Sequence, residues 1–279
     1  MNADDLALAL SLADAADAMT LPHFVAGDYS VRTKSDRTPV SEVDEAVERM
    51  LRERLERERP DDGIVGEEEG VRVAGKRRWI LDPIDATKNY IRGVPAYATL
   101  IALQDAGRVI AGVVSAPALG RRWWASAGAG AFCNGLAIHV SSVASFAKAY
   151  LSYDGINDFD KAGLSEQFID LARRFGRTRA FGDFWSHMLV AEGAIDVAIE
   201  PEVALWDLAA LQVIVEEAGG RFTNLAGEAR PDGGSAVSTN GILHDEVLAT
   251  LRPTHRDSST ATAAARSPLP PGEGGAKRG

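Results

Sequence analysis

Asp82 and Asp85 stand three positions apart in the run Trp79-Ile80-Leu81-Asp82-Pro83-Ile84-Asp85-Ala86-Thr87. The apolar stretch Trp79 to Leu81 reads as the end of a buried strand. Pro83 cannot donate to a sheet ladder and is expected to stop it. Two carboxylates delivered into one tight turn repel each other unless a cation sits between them. A hard divalent ion such as Mg²⁺ suits carboxylate and carbonyl oxygens. Thr87 follows at the start of a short helix, whose first N–H groups suit a phosphate. Its hydroxyl can orient a water. Cation, phosphate and water meeting in one turn is the layout of metal-assisted phosphate-ester hydrolysis.

Each of these residues has an ordinary alternative, since Asp and Thr near a helix start are common caps. Their company in the chain argues for chemistry. Gly66-Glu67-Glu68-Glu69-Gly70 places acids on a glycine-bounded loop after Ile64-Val65. Trp206-Asp207 opens a helical pattern with apolar Leu208, Leu211, Val215 and Ala218, which stops at Gly219-Gly220. Glu67 alone would be a solvated loop acid, and Asp207 alone a favourable charge at a helix start.

The turn from Asp82 to Thr87 resembles the Asp-Pro-Ile-Asp-Gly-Thr signature of the inositol monophosphatase superfamily. Gly66-Glu67-Glu68 is similar to the upstream Gly-Glu-Glu motif of that superfamily. Trp206-Asp207 and Glu217-Ala218-Gly219-Gly220 resemble its downstream motifs, and Gly130-Ala131-Phe132-Cys133-Asn134-Gly135 its central hairpin. The likeness runs in register from about Leu6 to Leu251. It implies Glu67, Asp82, Asp85, Asp207 and the Ile84 carbonyl as ligands of two or three Mg²⁺ ions, with Glu68 behind them. It also implies Thr87 as the residue that positions water, Asp44 as its acidic partner, and the backbone N–H groups of Ala86 and Thr87 as the phosphate seat. The family usually has glycine where this chain has Ala86. Alanine is harmless there in a right-handed helical conformation and costly only at positive φ or where phosphate needs the room.

Composition agrees. The 279 residues, 46% hydrophobic, supply a substantial core. A net charge of −10 without a basic stripe excludes a nucleic-acid surface. The single cysteine, Cys133, excludes a disulfide framework and suits a reducing cytoplasm. The acidic stretch Met1 to Met19 lacks the basic start of a signal peptide, and no apolar run approaches a membrane span. The resemblance implies a homodimer and a small phosphate monoester as substrate.

The elements that must position these residues follow from periodicity. Asp4 to Met19 reads as an amphipathic helix, Val31 to Pro39 as a polar loop with Lys34, and Ser41 as the cap of a charged helix to about Arg59. A hairpin turns at Asp105-Ala106-Gly107, between Thr99–Gln104 and Val109–Ala116. Arg121 to Cys133 continues the sheet. Helices are expected at 164–174, 184–192 and 243–251, and strands at 178–181, 195–199 and 235–239. The fold class is α/β (α+β), a layered α-β-α-β-α sandwich. One phosphatase unit spans 1–252, with halves dividing near residue 140, and 253–279 reads as a disordered tail.

Substrate choice is expected to lie between Phe181 and Asp207. Phe181-Gly182-Asp183-Phe184-Trp185-Ser186-His187, Glu200-Pro201-Glu202 and Tyr90-Ile91-Arg92-Gly93-Val94-Pro95 resemble the histidinol-phosphate phosphatase branch. Asp183 and Glu200 would pair with the amine and imidazole of histidinol phosphate, and Trp185 would pack on its ring. Asp85 would also touch substrate. Such an enzyme acts late in histidine synthesis. Two other readings stay open: a phosphatase of this fold acting on inositol monophosphate or a bisphosphate, and a non-catalytic metal-binding scaffold.

Overall fold

The computed structural model describes residues 3–35 and 37–252. The chain opens with helix α1 (Ala3–Ala26). An antiparallel pair follows, β1 (Val31–Thr33) and β2 (Pro39–Ser41), with Val31 opposite Ser41. The stretch read as a polar loop is therefore a small hairpin. Ser41 caps α2 (Glu42–Glu58): its hydroxyl accepts from the N–H groups of Val43 and Asp44 at 3.2 and 3.4 Å, while Asp44 Oδ2 accepts from the Ser41 N–H at 2.9 Å. This reciprocal cap fixes Asp44 in the first turn of its helix.

Strands β3 (Gly63–Gly66), β4 (Gly70–Arg72) and β5 (Arg77–Asp85) come next, then the short helix α3 (Thr87–Ile91). β6 (Ala98–Asp105) and β7 (Arg108–Ala116) form the expected hairpin. β8 (Arg121–Ser126), β9 (Ala131–Cys133) and β10 (Leu136–Ile138) extend the meander. The second half runs β11 (Tyr150–Tyr153), α4 (Ile156–Lys161), α5 (Ser165–Ala172), β12 (Arg177–Arg179), α6 (Asp183–Ala191), β13 (Val197–Glu200), α7 (Leu205–Glu217), β14 (Arg221–Thr223), β15 (Ala236–Thr239) and α8 (His244–Leu251). The tail read as disordered, 253–279, lies outside the described residues.

Two sheets organise these elements. One has eight strands in the order β10-β9-β8-β7-β6-β5-β3-β4, the other five in the order β12-β11-β13-β15-β14. Helices α1 and α2 cover the outer face of the larger sheet, packing Leu12 and Leu51 against Trp79, Leu81 and Tyr97. Helices α6 and α7 fill the space between the sheets, with Met188, Leu208 and Leu211 against Ile80, Leu100 and Trp123. On the far side, Phe168 and Leu248 close over Leu151, Val197 and Val237. The result is the five-layer α-β-α-β-α sandwich. Alternation in β5 shows why both layers form: Trp79 and Leu81 face one core and Ile80 the other. Gly112 lets α7 approach β7, since a Cβ there would lie 2.6 Å from the Ala210 carbonyl oxygen.

Candidate active site

β5 does not stop at Pro83. It continues to Asp85 with a register shift: Asp82 pairs with Leu100 and Asp85 with Ala98, three steps along one strand against two along the other. The extra residue is a β-bulge, where a missing proline N–H is tolerated. The Pro83 carbonyl is satisfied by the Thr99 hydroxyl at 2.8 Å. The bulge matters for chemistry, because residues an odd number apart on a regular strand point to opposite faces. Re-aimed by the bulge, Asp82 and Asp85 converge with Asp207, each offering a carboxylate oxygen, all within 4.8 Å of one another.

Each of the three is held differently. Asp82, 1% exposed, has an Oδ1 buried without a hydrogen-bond partner. Asp85 Oδ2 accepts from the Phe184 N–H at 2.9 Å, so the first turn of α6 fixes its carboxylate. Asp207 Oδ2 accepts from the Ala204 N–H at 2.8 Å, within its own helix start. Burial, then the charge of Glu67, pushes Asp82 well above the ordinary carboxylate range. Burial, then Asp183, does the same to Asp85. Burial raises Asp207 to about 7. Carboxylates that cannot all ionise together, one with an orphaned oxygen, fit a hard divalent cation.

Glu67 reaches the cavity from the loop between β3 and β4, as read from the sequence. It is not alone there. The Lys34 ammonium, in the turn between β1 and β2, bonds Glu67 at 2.8 Å and Glu68 at 2.6 Å. Burial raises both glutamates, partly offset by this lysine. Beneath the loop, the buried Glu48 accepts from the N–H groups of Glu68 and Glu69 at 2.7 and 2.9 Å. Gly66 makes room for it, because a Cβ there would lie 2.1 Å from Glu48 Oε1. Sequence reading missed Glu48, which looks like one more charge on a helix face until the fold buries it.

Thr87 Oγ1 lies 3.2 Å from Asp44 Oδ1 and 3.0 Å from the Ile84 carbonyl oxygen. Burial lifts Asp44 to about 6. Ala86 adopts φ 65°, ψ 45°. The sequence left its conformation open, and the structure places it in the left-handed region that favours glycine. Alanine there costs roughly 1–2 kcal/mol. Thr87 and Lys88 begin α3, so their N–H groups have no intrahelical acceptor.

These groups open on a cavity of about 390 Å³ lined by Glu67, Asp85, Thr87 and Asp207. Asp183 and Glu200 line it too. Glu200, 4% exposed, has an Oε1 without a partner, and its Oε2 lies 3.4 Å from His187 Nε2. His187 is not a surface residue: it is fully buried on α6, with Nδ1 2.6 Å from Ser238 Oγ. Asp183 begins α6 at φ 46°, directly after Gly182 at φ 74°. Burial, then Asp154, raises its carboxyl well above the usual range. Trp185 is not at the cavity. Helical spacing turns it toward the core between the sheets and against Phe181, with ring centroids 5.3 Å apart, while its neighbour Phe184 lines the cavity instead. Asp154, Asp158 and Lys88 also line the cavity and went unread in the sequence. Asp154 follows the four-residue strand β11, too short to show a period; an acid at the carboxyl end of a parallel strand is the signal that marks it.

Comparison with known proteins bears on the same residues. The family model described as the inositol monophosphatase family matches residues 3–256. The chain is 54% identical to a histidinol-phosphatase of Mycobacterium tuberculosis, over 90% of this chain and 99% of that one. It is 51% identical to a histidinol-phosphatase of Streptomyces coelicolor, over 89% and 97%. Among solved structures, an IMPase of Thermotoga maritima superposes with a TM-score of 0.81 at 32% identity, covering 89% of this chain and 96% of that one. An inositol monophosphatase of Zymomonas mobilis gives 0.80 at 32%, covering 90% and 99%. With the motifs, the layered fold and these matches in agreement, the chain belongs to the inositol monophosphatase family.

Proposed function

We propose that the protein is a Mg²⁺-dependent histidinol-phosphatase, hydrolysing L-histidinol phosphate to L-histidinol and phosphate. One observation carries this reading: the three-carboxylate centre opens, through Asp85 and Asp207, on the same cavity as Thr87, which bonds Asp44, and as the acids Asp183 and Glu200. Asp82, Asp85, Asp207, Glu67 and the Ile84 carbonyl would hold the metal. When bound, Mg²⁺ supplies charge neutralisation at the phosphoryl oxygens and acidifies a water.

The remaining steps belong to the chain's own groups. The N–H groups of Ala86 and Thr87, with that of Lys88 beside them at the start of α3, would hold the phosphate. The attacking water gives a proton to Thr87 Oγ1, whose own proton passes to Asp44 Oδ1, 3.2 Å away. The water oxygen bonds phosphorus as the ester P–O bond breaks; the leaving alkoxide takes a proton from a solvent water, and Asp44 returns its proton to solvent. A base near pKa 6 is suited to this work near neutral pH.

Asp183 and Glu200 select the alcohol. Among the described residues, eight that line the cavity are acidic, against one cation, Lys88. That field favours a substrate carrying positive nitrogens and opposes a second phosphate. The two histidinol-phosphatase relatives act in support. The lone buried Cys133 suits a cytoplasmic enzyme of histidine synthesis. Phosphate release with Mg²⁺ is to be compared for L-histidinol phosphate and inositol 1-phosphate at equal concentration. A clear preference for L-histidinol phosphate is expected. Equal rates, or preference for inositol 1-phosphate, would overturn the substrate while leaving the metal centre standing.

A further inference from the structure

The cavity continues beyond Asp183. β11 delivers Asp154 just past its C-terminal end, and the carboxylate comes up against the turn that carries Asp183. Gly182 permits this, since a Cβ there would lie 2.9 Å from Asp154 Oδ1. Among the described residues Asp154 makes no hydrogen bond or ion pair. Burial, then the charges of Glu200 and Asp158, act against its ionised form, and Lys88 and Lys161 relieve it in part. It contributes nothing evident to the fold, and a carboxylate crowded against others destabilises the empty protein. Glu200 points the same way, because its unpartnered Oε1 belongs to a side chain 4% exposed on the same cavity wall.

The turn 182–184 links these acids: its Phe184 N–H bonds Asp85 Oδ2 at 2.9 Å, and Asp154 Oδ1 stands against Gly182. Asp183 is the foremost charge acting on Asp85, and Asp154 the foremost charge acting on Asp183. Asp154 thus meets this turn at Gly182, two residues before the N–H that holds Asp85. L-Histidinol phosphate has a matching order: ester oxygen, methylene, the carbon bearing the ammonium, methylene, imidazole. With the phosphate at Thr87, the ammonium falls beside Asp183 and Glu200 and the ring falls beyond them.

We propose that Asp154 is the specificity-determining residue for the far end of the substrate, its carboxylate accepting an imidazole N–H while Asp183 and Glu200 take the ammonium. This rests on the histidinol phosphate reading above. The test uses the full chain with Mg²⁺ and the substitution Asp154→Asn. kcat/KM is measured for L-histidinol phosphate and for phosphoethanolamine, which keeps phosphate and ammonium but has no ring. L-Histidinol is also titrated as a product inhibitor of p-nitrophenyl phosphate hydrolysis. A loss of about 10- to 100-fold on L-histidinol phosphate is expected, the size of one hydrogen bond to a charged group. It should fall mainly on KM, with a matching rise in the L-histidinol inhibition constant and a change within about twofold on phosphoethanolamine. The Tm of the metal-free variant should rise, because one crowded charge is gone. Equal losses on both substrates, or an unchanged inhibition constant, would overturn the assignment. If Asp154→Asn fails to fold, Asp154→Ser is taken through the same measurements. A wild-type enzyme that prefers inositol 1-phosphate would instead sink the function itself, a result that needs no variant.

Discussion

Replacing Glu48 by Gln would test how the loop bearing Glu67 is held. Glu48 is fully buried and accepts three hydrogen bonds, from Glu68 N–H at 2.7 Å, Glu69 N–H at 2.9 Å and Arg52 Nε–H at 2.8 Å, while its Oε1 fills the space where a Gly66 Cβ would stand. Glutamine keeps the shape but turns one acceptor into a donor facing a donor. Losing a partner from a buried ion pair costs about 3–5 kcal/mol. Arg52 keeps Glu69 at 3.7 Å and the Gly70 carbonyl, so the lower end applies, about 3 kcal/mol. For a domain of this size that is a fall in Tm of roughly 6–12 °C. The loop then no longer presents Glu67 in one place, and the Mg²⁺ concentration for half-maximal phosphate release should rise about 10-fold, as when a group behind a metal ligand is removed. Thermal denaturation and a Mg²⁺ titration read both effects. A Tm within 2 °C of the parent would refute the burial argument (about 1 kcal/mol at most). A lower Tm with unchanged Mg²⁺ dependence would show that Glu48 supports the fold and not the site.

Three further outcomes follow from the same geometry. Thr87→Val should lower kcat by about 100-fold or more while Mg²⁺ still raises Tm, and Thr87→Ser should retain most activity. Asp207→Asn should abolish turnover yet raise the Tm of the metal-free protein, because it removes a charge from the cluster around Asp82. In EDTA the protein should lose stability as pH rises. Asp44 and Asp207 hold protons up to about 6 and about 7 when folded, above an unfolded aspartate near about 4. The folded state therefore binds more protons, and this contribution is complete below about pH 4 and lost as pH passes through those values. Tm at pH 8 should be lower than at pH 5, and saturating Mg²⁺ should close the gap. A Tm that climbs from pH 5 to 8 without metal would contradict the reading of the cluster.

Much of this was legible in local sequence. Ser41 and Asp44 advertise a capping box, Asp105-Ala106-Gly107 a hairpin, and Gly219-Gly220 a helix stop, because each depends on contacts within a few residues. The acids that the fold gathers at the cavity, Glu67, Asp85 and Asp207 with Asp82 beside them, could be picked out by type and order. What the sequence misjudged depends on long-range partners. Pro83 reads as a strand end until Thr99, sixteen residues on, satisfies its carbonyl and the bulge absorbs it. Val31 to Pro39 reads as a loop because β1 is three exposed residues with no apolar face. Trp185 and Phe184 are adjacent on α6, and only the packing of that helix between two sheets decides which of them meets the cavity. Ala86 hides a left-handed turn behind a residue that prefers helix.

The bond from the Phe184 N–H to Asp85 joins parts of the chain 99 residues apart, since Asp85 ends a strand of the larger sheet and Phe184 lies in the first turn of α6, packed between the two sheets. It works as a latch whose strength depends on the charge of Asp85. Whatever settles that charge also settles the first turn of α6, and by reciprocity a looser α6 weakens cation binding by the same factor. A substitution at Met188, buried in the core one turn along α6 from Phe184 and outside the cavity lining, would then surface as an altered metal requirement. The metal appetite of this protein is, in that sense, set partly by its core.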